Sequence, residues 1–153
     1  MDALILAAGQ GTRLKPITEY IAKPMITLWN KPFLEYLVNN LAQLNEIDRI
    51  LIVVNHLQNQ IREHFGNSWQ GKEIIYLEQV NPKGGTADAV SYAKDFITSD
   101  FITILGDVYL SKPELRRLTK SSGTRLAITK IDDPENHKVV NFTKDNLVKG
   151  FDN

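Results

Sequence analysis

Apolar and polar positions alternate along the chain in blocks that switch between strand and helix periodicity. Ala3 to Ala7 is a short apolar run without alternation, stopped by Gly9, the pattern of a strand buried on both faces. Pro32 opens a helix through about Leu44, since proline suits the first helical position and Phe33, Leu34, Leu37, Leu41 and Leu44 recur at helical spacing. Arg49 to Asn55 (RILIVVN) predicts a second buried strand. Leu57, Ile61 and Phe65, four apart, then predict a short amphipathic helix ended by Gly66. Glu73 to Gln79 (EIIYLEQ) predicts a third strand, followed by a loop from Val80 to Gly85. Thr86 is expected to cap a helix to about Phe96, with Ala89, Val90, Ala93 and Phe96 turned inward. Phe101 to Leu105 (FITIL) predicts a fourth strand that stops at Gly106-Asp107.

After a helix near Pro113 to Lys120 the text becomes β-rich. Arg125 to Ile131, Val139 to Phe142 and Leu147 to Phe151 read as strands, with Asp145-Asn146 as a hairpin turn. There are no repeats and no low-complexity tracts. Strands alternating with helices at this spacing imply an α/β fold, a mostly parallel sheet with helices on both faces and a β-rich C-terminal hairpin. Ligands of such sheets bind beyond the carboxyl ends of the strands. The informative residues are therefore Gly9 to Arg13, Asn55, Gln79 to Thr86 and Asp107.

The chain has 153 residues, a single domain by size, and a compact fold of that length buries roughly 68–70% of its unfolded surface. Lys plus Arg equals Asp plus Glu at 18 each, so no net basic charge marks a nucleic-acid binder. Cysteine is absent, which removes thiol catalysis and cysteine zinc sites and fits a cytoplasmic protein. The first apolar run is too short to span a bilayer or to form a signal-peptide core, so no membrane partner is expected.

Three stretches carry candidate chemistry. Gly9, Gly11, Thr12 and Arg13 lie in a turn after a buried strand, where glycines let backbone N–H groups face an anion and Arg13 offers a fork of donors suited to phosphate. It is neither a P-loop, because Gly-Lys-Ser/Thr is absent, nor a dinucleotide fingerprint, because Leu14 stands at the third glycine. The bland alternative for Arg13 is a solvated loop cation. Lys23 precedes Pro24, which biases it toward an extended conformation that can aim it back at the loop; an ordinary surface turn is the alternative. Asp107 ends a buried strand and on its own reads equally as a turn or capping residue. An NAD-binding reading is disfavoured, since the second strand ends in Asn55 without the acidic ribose ligand.

The stretch L-A-A-G-Q-G-T-R-L-K-P-I-T, then A-K-P-M and N-K-P-F-L-E-Y, then E-Q-V-N-P-K-G-G-T-A-D-A and the strand-terminal L-G-D, resembles the signature of the sugar-1-phosphate nucleotidylyltransferases, or nucleotide-sugar pyrophosphorylases. The likeness covers residues 1 to about 110. It implies a Rossmann-like nucleotide-diphospho-sugar transferase fold, with 1–110 as nucleotide-binding core and 111–153 as a partial sugar-side region of one domain. It also implies a reaction in which a sugar 1-phosphate oxygen attacks the α-phosphorus of a nucleoside triphosphate and pyrophosphate leaves. Such transfer needs positioning and charge neutralisation more than a covalent group from the protein. On the family pattern Arg13 holds the leaving pyrophosphate, Lys23 meets charge on the α-phosphate, and Asp107 holds Mg²⁺.

The nucleoside end falls to Leu6, Ala7, Ala8 and Gly9 and to the loop with Gln79, Gly84, Gly85 and Thr86. Glutamine donates and accepts at once, as a pyrimidine edge requires, so UTP or dTTP is the favoured donor. Gly85 is six residues after Gln79 where the family places Gly-Thr at five, so either Gly84 faces the base or the loop bulges. Farther on, Asn136-His137-Lys138-Val139-Val140 stands in place of a Tyr-Gly-Val-Val type segment, and Val148-Lys149-Gly150-Phe151 in place of a glutamate-lysine pair. The family's sugar-binding C-terminal part, with a second metal-binding aspartate, is expected to be missing. The alternatives are a truncated or non-catalytic nucleotide-binding or regulatory module, and a cytidylyltransferase acting on another phosphorylated alcohol. The apolar edge of the last hairpin suggests a homo-oligomer, most simply a dimer.

Overall fold

The structure, a computed structural model, describes residues 1–81, 83–133, 135 and 139–152. They form two compact units, Met1–Ser121 and Ser122–Asn153, and the helix following the fourth parallel strand lies in the first. The first unit is built on four strands, β1 (Asp2–Leu6), β4 (Arg49–Val54), β6 (Lys72–Glu78) and β7 (Phe101–Leu105), with the two-residue β5 (Ser68–Trp69) at one edge. The sheet order is β5-β6-β4-β1-β7, and every pairing among the four long strands is parallel. β5 runs antiparallel to β6 and is too short to show any periodicity in the sequence. A further two-residue pair, β2 (Thr27–Leu28) and β3 (Lys31–Pro32), forms a small hairpin of its own.

Alternation along β1 sorts its side chains to the two faces of the sheet. Ala3 and Ile5 join Ile50, Ile52 and Val54 on the face covered by helices α1 (Phe33–Ala42), α2 (Gln58–Phe65) and α4 (Lys112–Thr119), through Leu34, Leu37, Val38, Leu41, Ile61, Phe65 and Leu115. Leu4 joins Leu51, Val53 and Leu77 on the opposite face, beneath Ala89 of helix α3 (Gly85–Ser91) and Ala93 just after it. Each fully buried Leu or Ile contributes roughly 1.5–3 kcal/mol relative to exposure, and both faces of β1 collect that gain. The mostly parallel sheet with helices on both faces is as the sequence implies.

The chain adds β4 and β6 on one side of β1 and then crosses back through α3 to place β7 on the other side. β1 and β7 thus flank the point where strand order reverses, which is where α/β sheets open a crevice. Register there is continuous: Leu6 lies opposite Leu105, and Gly106 N–H extends the ladder by donating to the Leu6 carbonyl at 2.8 Å.

Several local expectations are corrected. Pro32 caps α1 as the residue before it instead of opening it. Thr86 is the second residue of α3, whose N-cap is Gly84, so it does not cap the helix. α3 ends at Ser91 and continues only as turns, and Phe96 is 44% exposed. Lys23 opens a one-turn 3₁₀ helix, Lys23–Met25, closed by Met25 N–H to the Ala22 carbonyl at 2.7 Å, so the extended geometry expected before proline is not adopted.

In the second unit β8 (Val139–Phe142) and β9 (Val148–Asp152) form the antiparallel hairpin. Its turn carries Asn146 at φ 60° and is closed by Thr143 N–H to the Leu147 carbonyl at 2.9 Å. Arg125 to Ile131 forms no strand: the alternating pattern is present, but those residues join no sheet among the described residues.

Candidate active site

Beyond the carboxyl ends of β1, β6 and β7 lies a cleft of about 270 Å³. Leu6, Ala7, Ala8, Gly9, Lys23, Pro24, Gln79, Gly85, Thr86, Ala89, Leu105, Gly106 and Asp107 line it. Nine of these thirteen are candidate site residues of the sequence reading, drawn from four separate stretches of chain. Gly11, Thr12, Arg13 and Gly84 do not line it.

The opening is possible because the strand ends approach closely. A Cβ on Gly106 would stand 3.1 Å from the Leu6 carbonyl oxygen and 3.2 Å from the Ala7 Cβ. Any larger residue would push β7 away from β1 at the mouth of the cleft. In the sequence this requirement shows only as the glycine of L-G-D. Ala89 and Leu105, which fill the apolar wall, carry no sequence signal beyond ordinary core alternation.

Lys23 is aimed into the cleft by the segment before it. Thr18, buried, donates its hydroxyl to the Gly11 carbonyl at 2.9 Å, and its own carbonyl meets His56 Nε2 at 3.0 Å. Gln60 of α2 accepts from Ala22 N–H at 2.9 Å and donates to the Tyr20 carbonyl at 2.7 Å. His56 and Gln60 therefore hold residues 18–22 in place, and the sequence marks neither. Gly11 sits at φ 64°, in the left-handed region, where a Cβ would meet Thr18 Cγ2 at 2.8 Å and Lys23 Cβ at 3.1 Å. The glycine turn thus packs directly on the stem of the lysine. From this platform Lys23 Nζ donates to Asp107 Oδ2 at 2.5 Å, an ion pair between side chains 29% and 45% exposed.

Arg13 lies on the exposed 3₁₀ turn Thr12–Leu14, outside the cleft lining, and its side chain makes no hydrogen bond or ion pair among the described residues. An unpaired guanidinium next to the loop that lines the cleft is free to meet an anion. Asn136, His137 and Lys138 lie outside the described residues.

On the other wall Gln79 is 5% exposed and anchored through its backbone, with N–H to the Val54 carbonyl at 2.9 Å and C=O from Asn55 Nδ2 at 2.6 Å. Its side-chain Nε2 donates to Asp88 Oδ2 at 2.7 Å and reaches the Gly85 carbonyl at 3.3 Å. The loop glycines divide: Gly85, at φ 72°, lines the cleft with Thr86, whereas Gly84 packs under Asp88.

A metal ion would find one carboxylate here, and no group of three His, Cys, Asp or Glu side chains among the described residues could hold a metal. Asp107, half exposed at the cleft and already paired with a cation, fits a hard divalent ion whose remaining ligands are water and phosphate oxygens. A second, more open depression of about 610 Å³ runs along α4 beside Lys112, Arg116, Arg117 and Lys120. Arg116 and Lys120 face Glu46 at 3.9 and 3.7 Å, and Lys112 bonds Gln43 at 3.1 Å, so most of its cations are already engaged. No helix among the described residues is long and apolar enough to cross a membrane.

Comparison with known proteins agrees with this geometry. The chain is 38% identical over 148 residues to the bifunctional protein GlmU of Methanococcus maripaludis, a match covering 97% of this chain and 34% of that relative. It is 30% identical over 152 residues to the D-glycero-alpha-D-manno-heptose 1-phosphate guanylyltransferase of Campylobacter jejuni, covering 99% of this chain and 68% of the relative. Among solved structures, a Bacillus anthracis protein in complex with sucrose, described as a candidate glucose-1-phosphate thymidylyltransferase, superposes with a TM-score of 0.84 at 27% identity. That superposition covers 99% of this chain and 63% of the other. The chain therefore spans about a third of the length of the GlmU relative and about two thirds of the other two. The nucleotidyl transferase family model matches residues 2–152, and with the cleft at the β1/β7 reversal it places this chain in that family, among the sugar-1-phosphate nucleotidyltransferases.

Proposed function

We propose that the cleft binds a nucleoside triphosphate, UTP or dTTP, and transfers its nucleotidyl group to a sugar 1-phosphate with Mg²⁺ as cofactor. The observation that carries this reading is the convergence of Lys23, Asp107, Gln79, Gly85 and Thr86 on one crevice at the strand-order reversal. In the reaction a phosphate oxygen of the sugar 1-phosphate forms a bond to the α-phosphorus. The bond from that phosphorus to the bridging oxygen breaks, and pyrophosphate leaves with the electron pair. Lys23, fixed by Gly11 and the pinned 18–22 segment, meets the charge that grows on the α-phosphate oxygens, a fixed donor being worth most where charge develops. Arg13, on the exposed turn beside the cleft, meets the leaving pyrophosphate, and Asp107 would hold the metal, which would supply neutralisation of phosphate charge. Ala7, Ala8 and Gly9 give the base and ribose a wall of small residues, with Leu6 adding apolar surface.

A guanine nucleotide is the second reading, favoured by the match to a relative described as a guanylyltransferase. The test is pyrophosphate release by this chain with Mg²⁺, each common nucleoside triphosphate and a panel of sugar 1-phosphates. Release with UTP or dTTP supports the reading. Release with GTP alone moves the base assignment. Nucleotide binding without release from any pair leaves a nucleotide-binding module and contradicts the transferase reading.

A further inference from the structure

We propose that Asp88 sets the hydrogen-bond polarity of Gln79, and thereby makes the cleft select bases that carry a ring N–H over bases that present a ring nitrogen acceptor. This rests on the reading of the cleft as a nucleotide site and assigns a positioning residue within it. An ionised carboxylate only accepts, so the group that Gln79 turns toward Asp88 Oδ2 at 2.7 Å has to be its NH₂. The same NH₂ reaches the Gly85 carbonyl at 3.3 Å, a longer contact that agrees with this orientation and leaves the shorter bond to Asp88 to decide it. The amide oxygen, Oε1, accepts no hydrogen bond among the described residues and is left to the cleft that Gln79 lines. At 5% exposure, with both backbone groups bonded, Gln79 has little room to choose another conformation.

Asp88 is in turn held over Gly84, where an added Cβ would overlap Asp88 Oδ2. The absence of a side chain at Gly84 is what lets the carboxylate lie against Gln79. An acceptor left to the cleft that Gln79 lines is satisfied by the N3–H of uracil or thymine, or by the N1–H of guanine. Cytosine N3 and adenine N1 would put a lone pair against it, and a buried polar group left without its partner is heavily penalised. The inference therefore covers both readings of the base and separates them from CTP and ATP.

The experiment is calorimetric titration of the chain with UTP, dTTP, GTP, CTP and ATP in the presence of Mg²⁺. The wild type should bind at least one of the first three about tenfold or more tightly than CTP and ATP. Asp88→Asn offers either a donor or an acceptor to Gln79, so the amide can turn over and that preference should fall about tenfold. Gly84→Ala, which displaces the carboxylate, should do the same while Asp88 remains. The double variant Gln79→Glu with Asp88→Asn restores an acceptor toward the cleft, held by the amide NH₂ introduced at position 88, and should regain the preference. A purely structural role for Asp88 would not be rescued this way. A wild type that binds uridine or guanosine nucleotides selectively, with Asp88→Asn equally selective, overturns the inference alone. So does a wild type that binds all five alike, or a double variant that folds and stays indiscriminate. A wild type that binds none of the five overturns the nucleotide reading and the inference with it.

Discussion

At the scale of single residues, Gly11, Arg13 and the Lys23–Asp107 pair each support a separate expectation. Gly11 combines a left-handed backbone with van der Waals contact to Thr18 and Lys23, so Gly11→Ala meets both a conformational penalty of about 1–2 kcal/mol and a 2.8 Å clash. We expect a lowered thermal midpoint and weaker nucleotide binding together, because the clash falls on the stem of Lys23. Normal stability and affinity in Gly11→Ala would show that the loop accommodates a side chain. Arg13 is the opposite case, exposed and unpaired among the described residues. Arg13→Ala should leave the thermal midpoint in place and lower turnover on the order of 10²–10³-fold, the scale for removing one preorganised donor. Near-normal turnover would remove Arg13 from the phosphate assignment. The Lys23–Asp107 pair adds a third expectation, since the ammonium and a metal ion compete for one carboxylate. Lys23→Met should bind Mn²⁺ more tightly than the wild type in the absence of nucleotide, and equal affinity would contradict that competition.

At the scale of elements, the sheet is pinned at the amino ends of its strands by polar chemistry. Asp2, buried at 4% exposure, accepts from Arg49 Nε at 3.1 Å and Nη2 at 2.6 Å, joining β1 to β4, and Arg49 Nη2 also reaches the Phe96 carbonyl at 3.1 Å. The hydrogen bond to the Asp2 carboxylate holds the Arg49 guanidinium above its ordinary pKa. Arg49→Met would leave that carboxylate buried without its donor, and should cost about 1.5–3 kcal/mol in denaturant unfolding. A midpoint unchanged from wild type would mean that water replaces the guanidinium.

The elements best read from sequence are those whose neighbours on both faces are apolar. RILIVV occupies Arg49–Val54 close to expectation, with Ile50 to Val54 all buried, because an unbroken apolar run is accommodated only between two covered faces of the sheet, whereas FITIL forms its strand at Phe101–Leu105 with only Ile104 buried. α3 is shorter than its periodicity implies because Phe96 keeps the helical spacing of Ala89 and Ala93 while its side chain stays half exposed. α4 starts one residue earlier than its proline suggests, at Lys112, with Ser111 N–H donating to Glu114 Oε2 at 2.8 Å at its entry. The site shows the same division. Residues just past strand ends are legible from topology alone, whereas Gln60, His56 and Asp88 act across gaps of 38, 38 and 9 positions that no periodicity connects.

At the scale of the whole molecule, the parallel sheet and its crevice form one unit, and the hairpin β8–β9 belongs to another. The hairpin presents Leu147 at 65% and Phe151 at 60% exposure, and its strands pair only with each other among the described residues. Exposed apolar strand edges tend to pair with a further chain. We therefore expect light scattering over a concentration series to show self-association, relieved by Phe151→Lys. A monomer at high micromolar concentration would contradict it.

Amide correlation spectra of the labelled chain during titration with UTP and Mg²⁺ read out whether the crevice beyond β1 and β7 holds a nucleotide. The amides of Gly9, Gly85, Thr86, Gly106 and Asp107 should shift together with one dissociation constant, since all five line the same cleft. Shifts confined to the basic face of α4, at Lys112, Arg116, Arg117 and Lys120, would place the nucleotide in the other depression and contradict the account.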